Sequence, residues 1–354
     1  MAASDDNSKK TIYPYDGLVG WLQNVFAACG VKPDAARVAA DTLVRTNARG
    51  VDTHGVARVL VYVQKLQSGE INAAAKPRIE TRHGVMHYYA DGALGQSAGI
   101  EAIDAAVEQA RSTASVTMIV HEIGHLAALG MFVLRAADAG MLAFLTQSTP
   151  PVMALPGSRG AAIGNNPLAF ASPVAGGPPL VFDMAASGVA RGNVLLAARA
   201  KRAIPEGWAI DGEGNPTTDA NAALAGAMLP MAGHKGIGLA MLSECLAGSL
   251  SGVKPASMTG AKPGSAPARV GAYLSVINPE LTAGRAAYDE NIKGWIGHYK
   301  SVSGAAGRYP GERAADLEKT RRASGIPLPP ETAADLVKVG EMCGVPFTVA
   351  GKPA

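Results

Sequence analysis

Ser115-Val116-Thr117-Met118-Ile119-Val120-His121-Glu122-Ile123-Gly124-His125 is compatible with two different folds. Its last five residues match H-E-x-x-H, which serves a zinc protease when a helix puts both imidazoles on one face, with the glutamate beside the metal-bound water. The preceding residues are rich in β-branched side chains, so the motif begins where a strand ends. Gly124 inside a helix would cost about 1 kcal/mol against alanine. A third ligand is also missing, since the next acid is Asp138 and the next histidine His234. The strand reading prevails. No metal site is assigned, and a zinc metalloprotease remains only as the alternative from another class.

Outward from this stretch the middle of the chain is strand-rich. Residues 116–120, 142–146, 180–182 and 270–277 read as strands bounded by Gly and Pro, with helical periods at 97–112, 127–139 and 235–246 between some of them. Towards the N-terminus, Asp34 is the expected cap of a helix running to about Arg49, with Gly50 as its left-handed stop. A short loop, Val51-Asp52-Thr53-His54-Gly55, leads into a second helical stretch at 56–67. Residues 211–216 form a dense turn signal, and residues 252–269 read as a connection between units. From about Gly311 the chain returns to helix, with Pro329-Pro330 ahead of 331–342. The expected class is α+β, a strand-rich middle between helical N- and C-terminal parts. The expected division is a helical part at 1–80 carrying His54 and Arg58, an α+β unit at 81–285, and a C-terminal helical part at 286–354 packing with the first.

Composition narrows the function. The 354 residues would fill between about two and three domains. Lys and Arg number 32 against 29 Asp and Glu, with no long basic block, which argues against nucleic acid or an acidic membrane as main partner. No apolar run reaches the roughly 20 residues that span a bilayer. The first residues lack the character of a signal or transit peptide, and Cys29, Cys245 and Cys343 form no C-x-x-C pair. A reducing, cytoplasmic setting is expected. Neither G-x-G-x-x-G after a strand nor a P-loop occurs, so any nucleotide is held by neither device.

Polar residues gather at five joints. His54 and Arg58, four apart at a helix entrance, offer a proton donor and a fork for a carboxylate; equally, Thr53 could cap that helix with both side chains solvated. His125 stands at a strand-to-helix joint, or is a satisfied core histidine. Thr146-Gln147-Ser148-Thr149 with Gly164-Asn165-Asn166-Pro167 suits ribose or amide recognition, or plain turn chemistry. Asp183 closes a strand, and Lys235 opens a helix where a phosphate would be welcome.

Five collinear segments resemble the type 2 malate/L-lactate dehydrogenase family, which also holds sulfolactate, ureidoglycolate and diketogulonate oxidoreductases and piperideine/pyrroline-2-carboxylate reductases. They are residues 49–58 (RGVDTHGVAR), 164–170 (GNNPLAF), 182–185 (FDMA), 204–211 (IPEGWAID) and 229–236 (LPMAGHKG). The resemblance implies a non-Rossmann nucleotide-binding domain built on a mixed or antiparallel sheet, and a homodimer with the active site near the subunit interface. It implies an oxidoreductase that moves hydride between NAD or NADP and a small 2-hydroxy or 2-oxo carboxylic acid. The alternative is a reductase of cyclic 2-imino acids. By matching position, His54 and His125 become acid/base candidates, Arg58 the carboxylate clamp and Thr53 a substrate contact. Ser148, Asp183, Met184, Ala185, His234, Lys235, Pro310, Gly311 and Glu312 become cofactor contacts. One segment departs: relatives usually carry a hydroxyl or amide before the second histidine, then an aromatic and a glycine, where this chain has Gly124, Leu126 and Ala127.

Overall fold

The computed structural model describes residues 10–254, 258 and 269–354. The leading stretch 1–9 and most of the connection expected at 252–269 lie outside the described residues. Seven strands form the main sheet, in the order β2 (Arg78–Arg82), β3 (Val85–Tyr89), β4 (Ser115–Ile123), β13 (Val270–Ile277), β5 (Leu142–Gln147), β8 (Leu168–Ser172) and β9 (Leu180–Met184). Only β3 and β4 run parallel; every other neighbouring pair is antiparallel. That mixed sheet has no doubly wound order, which agrees with the missing glycine fingerprint.

One face of the sheet is covered by α4 (Gly95–Ala110) and α5 (Gly130–Asp138). Alternation decides which face: Val116, Met118 and Val120 of β4, Ala143 and Leu145 of β5, and Ala169 and Ala171 of β8 join Ile103 and Phe132 in the largest core. Fully buried Phe132 makes its truncation to alanine worth about 3–5 kcal/mol. The opposite face carries a cross-strand row, Phe144 to Phe170 to Phe182, each ring partly or largely exposed.

A second core lies under α1 (Tyr15–Ala28), α2 (Pro33–Ala48), α3 (Val59–Gln67) and α11 (Pro330–Cys343). Leu18, Leu22, Val25 and Phe26 recur at helical spacing and are wholly buried. Asp34 does not cap α2. Pro33 takes the first helical position and Lys32 flanks it, so Asp34 sits inside the first turn, where its charge still suits the helix dipole. Gly50, at φ 84°, supplies the expected stop. The chain ends meet here, since β1 (Thr11–Tyr13) pairs with both β14 (Ile326–Leu328) and β15 (Lys352–Pro353). Helix α10 (Glu312–Ser324) docks on α2 through Glu318, whose carboxylate binds Arg45 and Arg49, each at 2.7 Å. By contrast, α9 (Arg285–Ser303) puts Ile296 against Leu180 and Tyr309, beside β9.

The remaining sheet is small: β11 (Pro216–Thr217), β10 (Ala209–Ile210), β12 (Ala227–Met228), β6 (Pro151–Met153) and β7 (Ile163–Gly164). With α6 (Arg191–Arg199) and α7 (Ala220–Ala225) it encloses a minor core around Val194 and Ala209. Helix α8 (His234–Ser243) continues directly into a π-helical turn, Glu244–Ser249.

Candidate active site

Everything at the site depends on how β4 ends. Its pairing with β13 slips between Val270 and Ala272, and Glu122 takes φ 52°, an uncommon backbone for a non-glycine residue. The irregularity changes the direction in which the following residues point. His121 stays on the outer face, stacked on Tyr89 with centroids 4.4 Å apart; its Nδ1 lies 2.7 Å from Ser251 O and its Nε2 3.0 Å from His87 Nδ1. His125, four residues on, faces inward. The H-E-x-x-H stretch is therefore strand and loop, and its two imidazoles never share a helical face.

Neighbouring side chains fix the backbone around His125. Gln147, at the end of β5, donates from Nε2 to Gly124 O (3.1 Å) and accepts at Oε1 from Leu126 N (3.2 Å), so one buried amide grips both sides of the histidine. Gly124 packs on the start of α4: a Cβ there would sit 2.8 Å from Ala93 O, which explains the absence of a larger residue. Ala127 then adopts φ 66°.

The ring itself is oriented by two groups. Gln96 Nε2 donates to His125 O (3.0 Å), which settles the amide's direction, and also to Tyr62 Oη (3.2 Å). The Tyr62 hydroxyl lies 2.8 Å from His125 Nδ1 and can donate to that nitrogen or accept from it, so it accommodates either tautomer of the neutral ring.

His54 and Arg58 come from two 3-10 turns, Asp52–His54 and Val56–Arg58, ahead of α3. Asn47 holds them: its Oδ1 accepts from Val56 N (2.8 Å) and its Nδ2 donates to Asp52 Oδ1 (2.9 Å). Arg321 of α10 donates to the same Asp52 oxygen at 2.9 Å. Gly55 has no room for a side chain, as a Cβ would fall 1.9 Å from Asn47 Oδ1. Thr53 caps no helix; its Oγ1 lies 2.9 Å from His54 Nδ1, and its carbonyl accepts from Arg58 Nε at 2.7 Å. The His54 and His125 rings are 6.2 Å apart between centroids.

Thr53, His54, Arg58, Tyr62 and His125 line one cavity of about 320 Å³, together with Ser148, Asp183, Met184, Ala185 and Arg191. Burial, with His54, Arg58 and Lys65 beside it, pushes the His125 imidazole down to about 3, and burial with Arg58 pushes His54 down to about 4. Burial and Arg58 also lower Arg191. Asp183 is reached by solvent through the cavity, yet the protein around it raises its carboxyl to about 6, against the lowering effect of the Gly130 N–H that donates to it at 2.7 Å. Among the described residues neither Arg58 nor Arg191 has an ion-pair partner, which leaves a basic pocket suited to an anion.

Of the residues singled out in the sequence, Thr53, His54, Arg58, His125, Ser148, Asp183, Met184 and Ala185 share this cavity. His234 and Lys235 do not line it; they stand exposed at the start of α8, tied to the cavity edge by Met231 N donating to Ala186 O at 2.9 Å. Pro310, Gly311 and Glu312 run beside β9, where Pro310 O accepts from Val181 N at 2.9 Å, and do not reach the cavity either. Sequence reading missed Tyr62, Gln96 and Arg191. A signal existed for Tyr62, because residues 54, 58 and 62 follow one another at intervals of one helical turn.

The model of the malate/L-lactate dehydrogenase family matches residues 13–337. A Delta(1)-pyrroline-2-carboxylate/Delta(1)-piperideine-2-carboxylate reductase of Pseudomonas putida is 34% identical over 318 residues, 88% of this chain and 92% of that protein. A (2R)-3-sulfolactate dehydrogenase (NADP(+)) of Chromohalobacter salexigens is 38% identical over 225 residues, 64% of this chain and 68% of that protein. Among solved structures, the sulfolactate dehydrogenase from Methanocaldococcus jannaschii superposes with a TM-score of 0.85 at 27% identity, covering 95% of this chain and 98% of the other.

Proposed function

Since the chain belongs to the malate/L-lactate dehydrogenase family, we propose that its cavity reduces a small 2-oxo acid, or oxidises the matching 2-hydroxy acid, with His125 handling the proton and Arg58 the carboxylate. The protein is an NAD(P)-dependent oxidoreductase. One observation carries the assignment of roles: two imidazoles 6.2 Å apart and a guanidinium without an ion-pair partner among the described residues open into the same cavity.

The cavity fits the nicotinamide end of a dinucleotide. Its volume of about 320 Å³ falls in the range of small-ligand sites, and Ser148 and Asp183 give a polar edge against apolar Ala128 and Val152. Ser148, Asp183, Met184 and Ala185 would hold that end, with His234, Lys235 and Pro310 to Glu312 further along the chain of contacts from β9. When bound, the reduced nicotinamide supplies a hydride for C2 of the substrate. Arg58, its Nε already used on Thr53, presents its two outer nitrogens to the carboxylate as a fork. The His125 imidazolium then gives its Nε2 proton to the oxygen on which negative charge grows and is left neutral with its proton on Nδ1; oxidation of the hydroxy acid returns the proton to Nε2. Tyr62 serves both protonation states, because a hydroxyl that donates to Nδ1 can turn and accept from Nδ1–H in the imidazolium. Burial is the main cause that keeps both imidazoles neutral, and a bound carboxylate beside Arg58 offsets the smaller part due to charge, raising their proton affinity when substrate arrives.

Arg191 favours the first reading over cyclic 2-imino acids. A second unpaired guanidinium suits a malate- or sulfolactate-like acid with another anionic group, whereas a cyclic imino acid offers one carboxylate. The test follows nicotinamide absorbance with NADH and NADPH against 2-oxo diacids, 2-oxo monoacids and cyclic imines. Turnover fastest with diacids is expected; turnover confined to cyclic imines would replace the reading with the alternative.

We also propose a cytoplasmic homodimer divided at 1–80, 81–285 and 286–354. The exposed row of Phe144, Phe170 and Phe182 supports a second copy of the chain as its cover, to be checked by sedimentation of the wild type and a Phe170→Glu variant. No helix among the described residues is long and apolar enough to cross a membrane.

A further inference from the structure

Ser148 lines the cavity, but its hydroxyl proton is already committed. Ser148 Oγ lies 2.9 Å from Glu244 Oε2, an oxygen contributed by the π-helical turn behind the cavity wall. The polarity of that bond can be read from a third residue. Asn166 Nδ2 donates to the carbonyl of Ala240 at 2.9 Å, which fixes the amide's direction, and donates to the same Glu244 Oε2 at 3.1 Å. The other end of that amide accepts from Thr149 N at 2.8 Å and Thr149 Oγ1 at 3.0 Å. As a carboxylate oxygen Oε2 can only accept, so Ser148 donates to it. Oε1 of Glu244 is buried without a partner and lies where a Cβ on Gly248 would be only 2.0 Å away. This glutamate is not spent on an ion pair; it faces Ser148 and Asn166.

We propose that Glu244 is a positioning residue that turns Ser148 into an obligate hydrogen-bond acceptor, so that the wall selects a ligand group bearing N–H or O–H. Resting on the dinucleotide reading above, this names the group that Ser148 recognises: the carboxamide NH2 of the nicotinamide or a hydroxyl of its ribose. Both share the donor chemistry, and neither a carbonyl nor a phosphate oxygen has it. A hydroxyl free to rotate would accept all of them.

The test measures dissociation constants by fluorescence titration on the full chain, with NADH, NADPH and reduced 3-acetylpyridine adenine dinucleotide, in which a methyl replaces the carboxamide nitrogen. Ser148→Ala should weaken binding of the preferred dinucleotide about five- to tenfold, the loss of one neutral hydrogen bond. Glu244→Leu should weaken it equally, and the double variant no further, because both changes remove the same interaction. Glu244→Gln should bind within about twofold of wild type, since its amide oxygen can take the place of Oε2 and its NH2 that of the unpartnered Oε1. If Ser148 reads the carboxamide, the acetylpyridine dinucleotide is insensitive to Ser148→Ala; if it reads the ribose, both dinucleotides lose alike. Losses that multiply in the double variant, or Glu244→Gln as weak as Glu244→Leu, would overturn the proposal, as would Ser148→Ala binding like wild type. A wild-type chain that binds no dinucleotide would instead remove the parent reading, and this one with it.

Discussion

Two imidazole pairs sit on the two sides of one strand end. His87 and His121 stack at 5.3 Å with planes 18° apart, hydrogen-bonded to each other on the outer face of the sheet. His54 and His125 stand 6.2 Å apart, tilted by 41°, inside the cavity. His121 and His125 are four residues apart, yet the residues between them separate their surroundings: the irregularity at Glu122 turns the chain, and Gln147 fixes it after the turn. In the outer pair each ring partly satisfies the other. In the inner pair burial, with Arg58 beside it, holds both rings neutral, and Nε2 of His125 has no protein partner among the described residues. Residue type alone distinguishes nothing here; what the backbone does between the two histidines decides which can do chemistry.

The largest effect that would break the contrast is loss of the inner ring. His125→Ala should lower kcat/KM by about 10²–10⁴, the usual range for a general acid, whereas His121→Ala should stay within about threefold of wild type. Equal losses would erase the distinction. Next, Tyr62→Phe keeps the packing but leaves Nδ1 of His125 without its hydrogen-bond partner; a fall of about tenfold, mainly in kcat, is expected, together with a changed pH profile.

The pH dependence of stability sharpens the contrast further. His54 and His125 have folded values of about 4 and about 3, below the free imidazole's roughly 6.5, so their contribution is intact above pH 6.5 and is lost as pH falls through that window. Asp183, raised to about 6, acts in the opposite direction, its contribution present at low pH and lost as pH rises through 6. It is common to both variants. Urea midpoints between pH 7 and pH 4 should therefore show a shallower acid decline for His125→Ala than for His121→Ala. The smallest effect is local. Ala127 holds φ 66°, and Ala127→Gly should raise stability by about 0.5–1 kcal/mol at unchanged urea slope, since glycine takes that backbone without a Cβ penalty.

Much of this was legible wherever the information is local. The strands at 116–120, 142–146, 180–182 and 270–277 announce themselves by branched residues between turns, and each lies inside a strand of the main sheet. The family resemblance drew His54, Arg58, His125, Ser148 and Asp183 together before any coordinates, and they do share one cavity. What was not legible depends on distant partners. Gln147 read as a recognition amide, but it is spent on the backbone around His125 because β5 and β4 end at the same level. The lowered proton affinity of His54 was not legible, because burial beside Arg58 cannot be seen in spacing. Asp34 misled as a cap because the preceding proline already satisfies the first turn. Cys29 and Cys343, remote in sequence, come within 3.6 Å at Sγ.

That last contact belongs to the closure of the two chain ends, where β1 lies between β14 and β15 and Arg321 reaches Asp52 beside His54. During synthesis the segment bearing His54 and Arg58 emerges well before Arg321, β14 and β15. A ribosome-bound chain already holding every cavity residue therefore still waits for residues 321–353 before the site can set. Truncation just ahead of Arg321 should behave as a lesion of the active site, although it deletes none of its side chains.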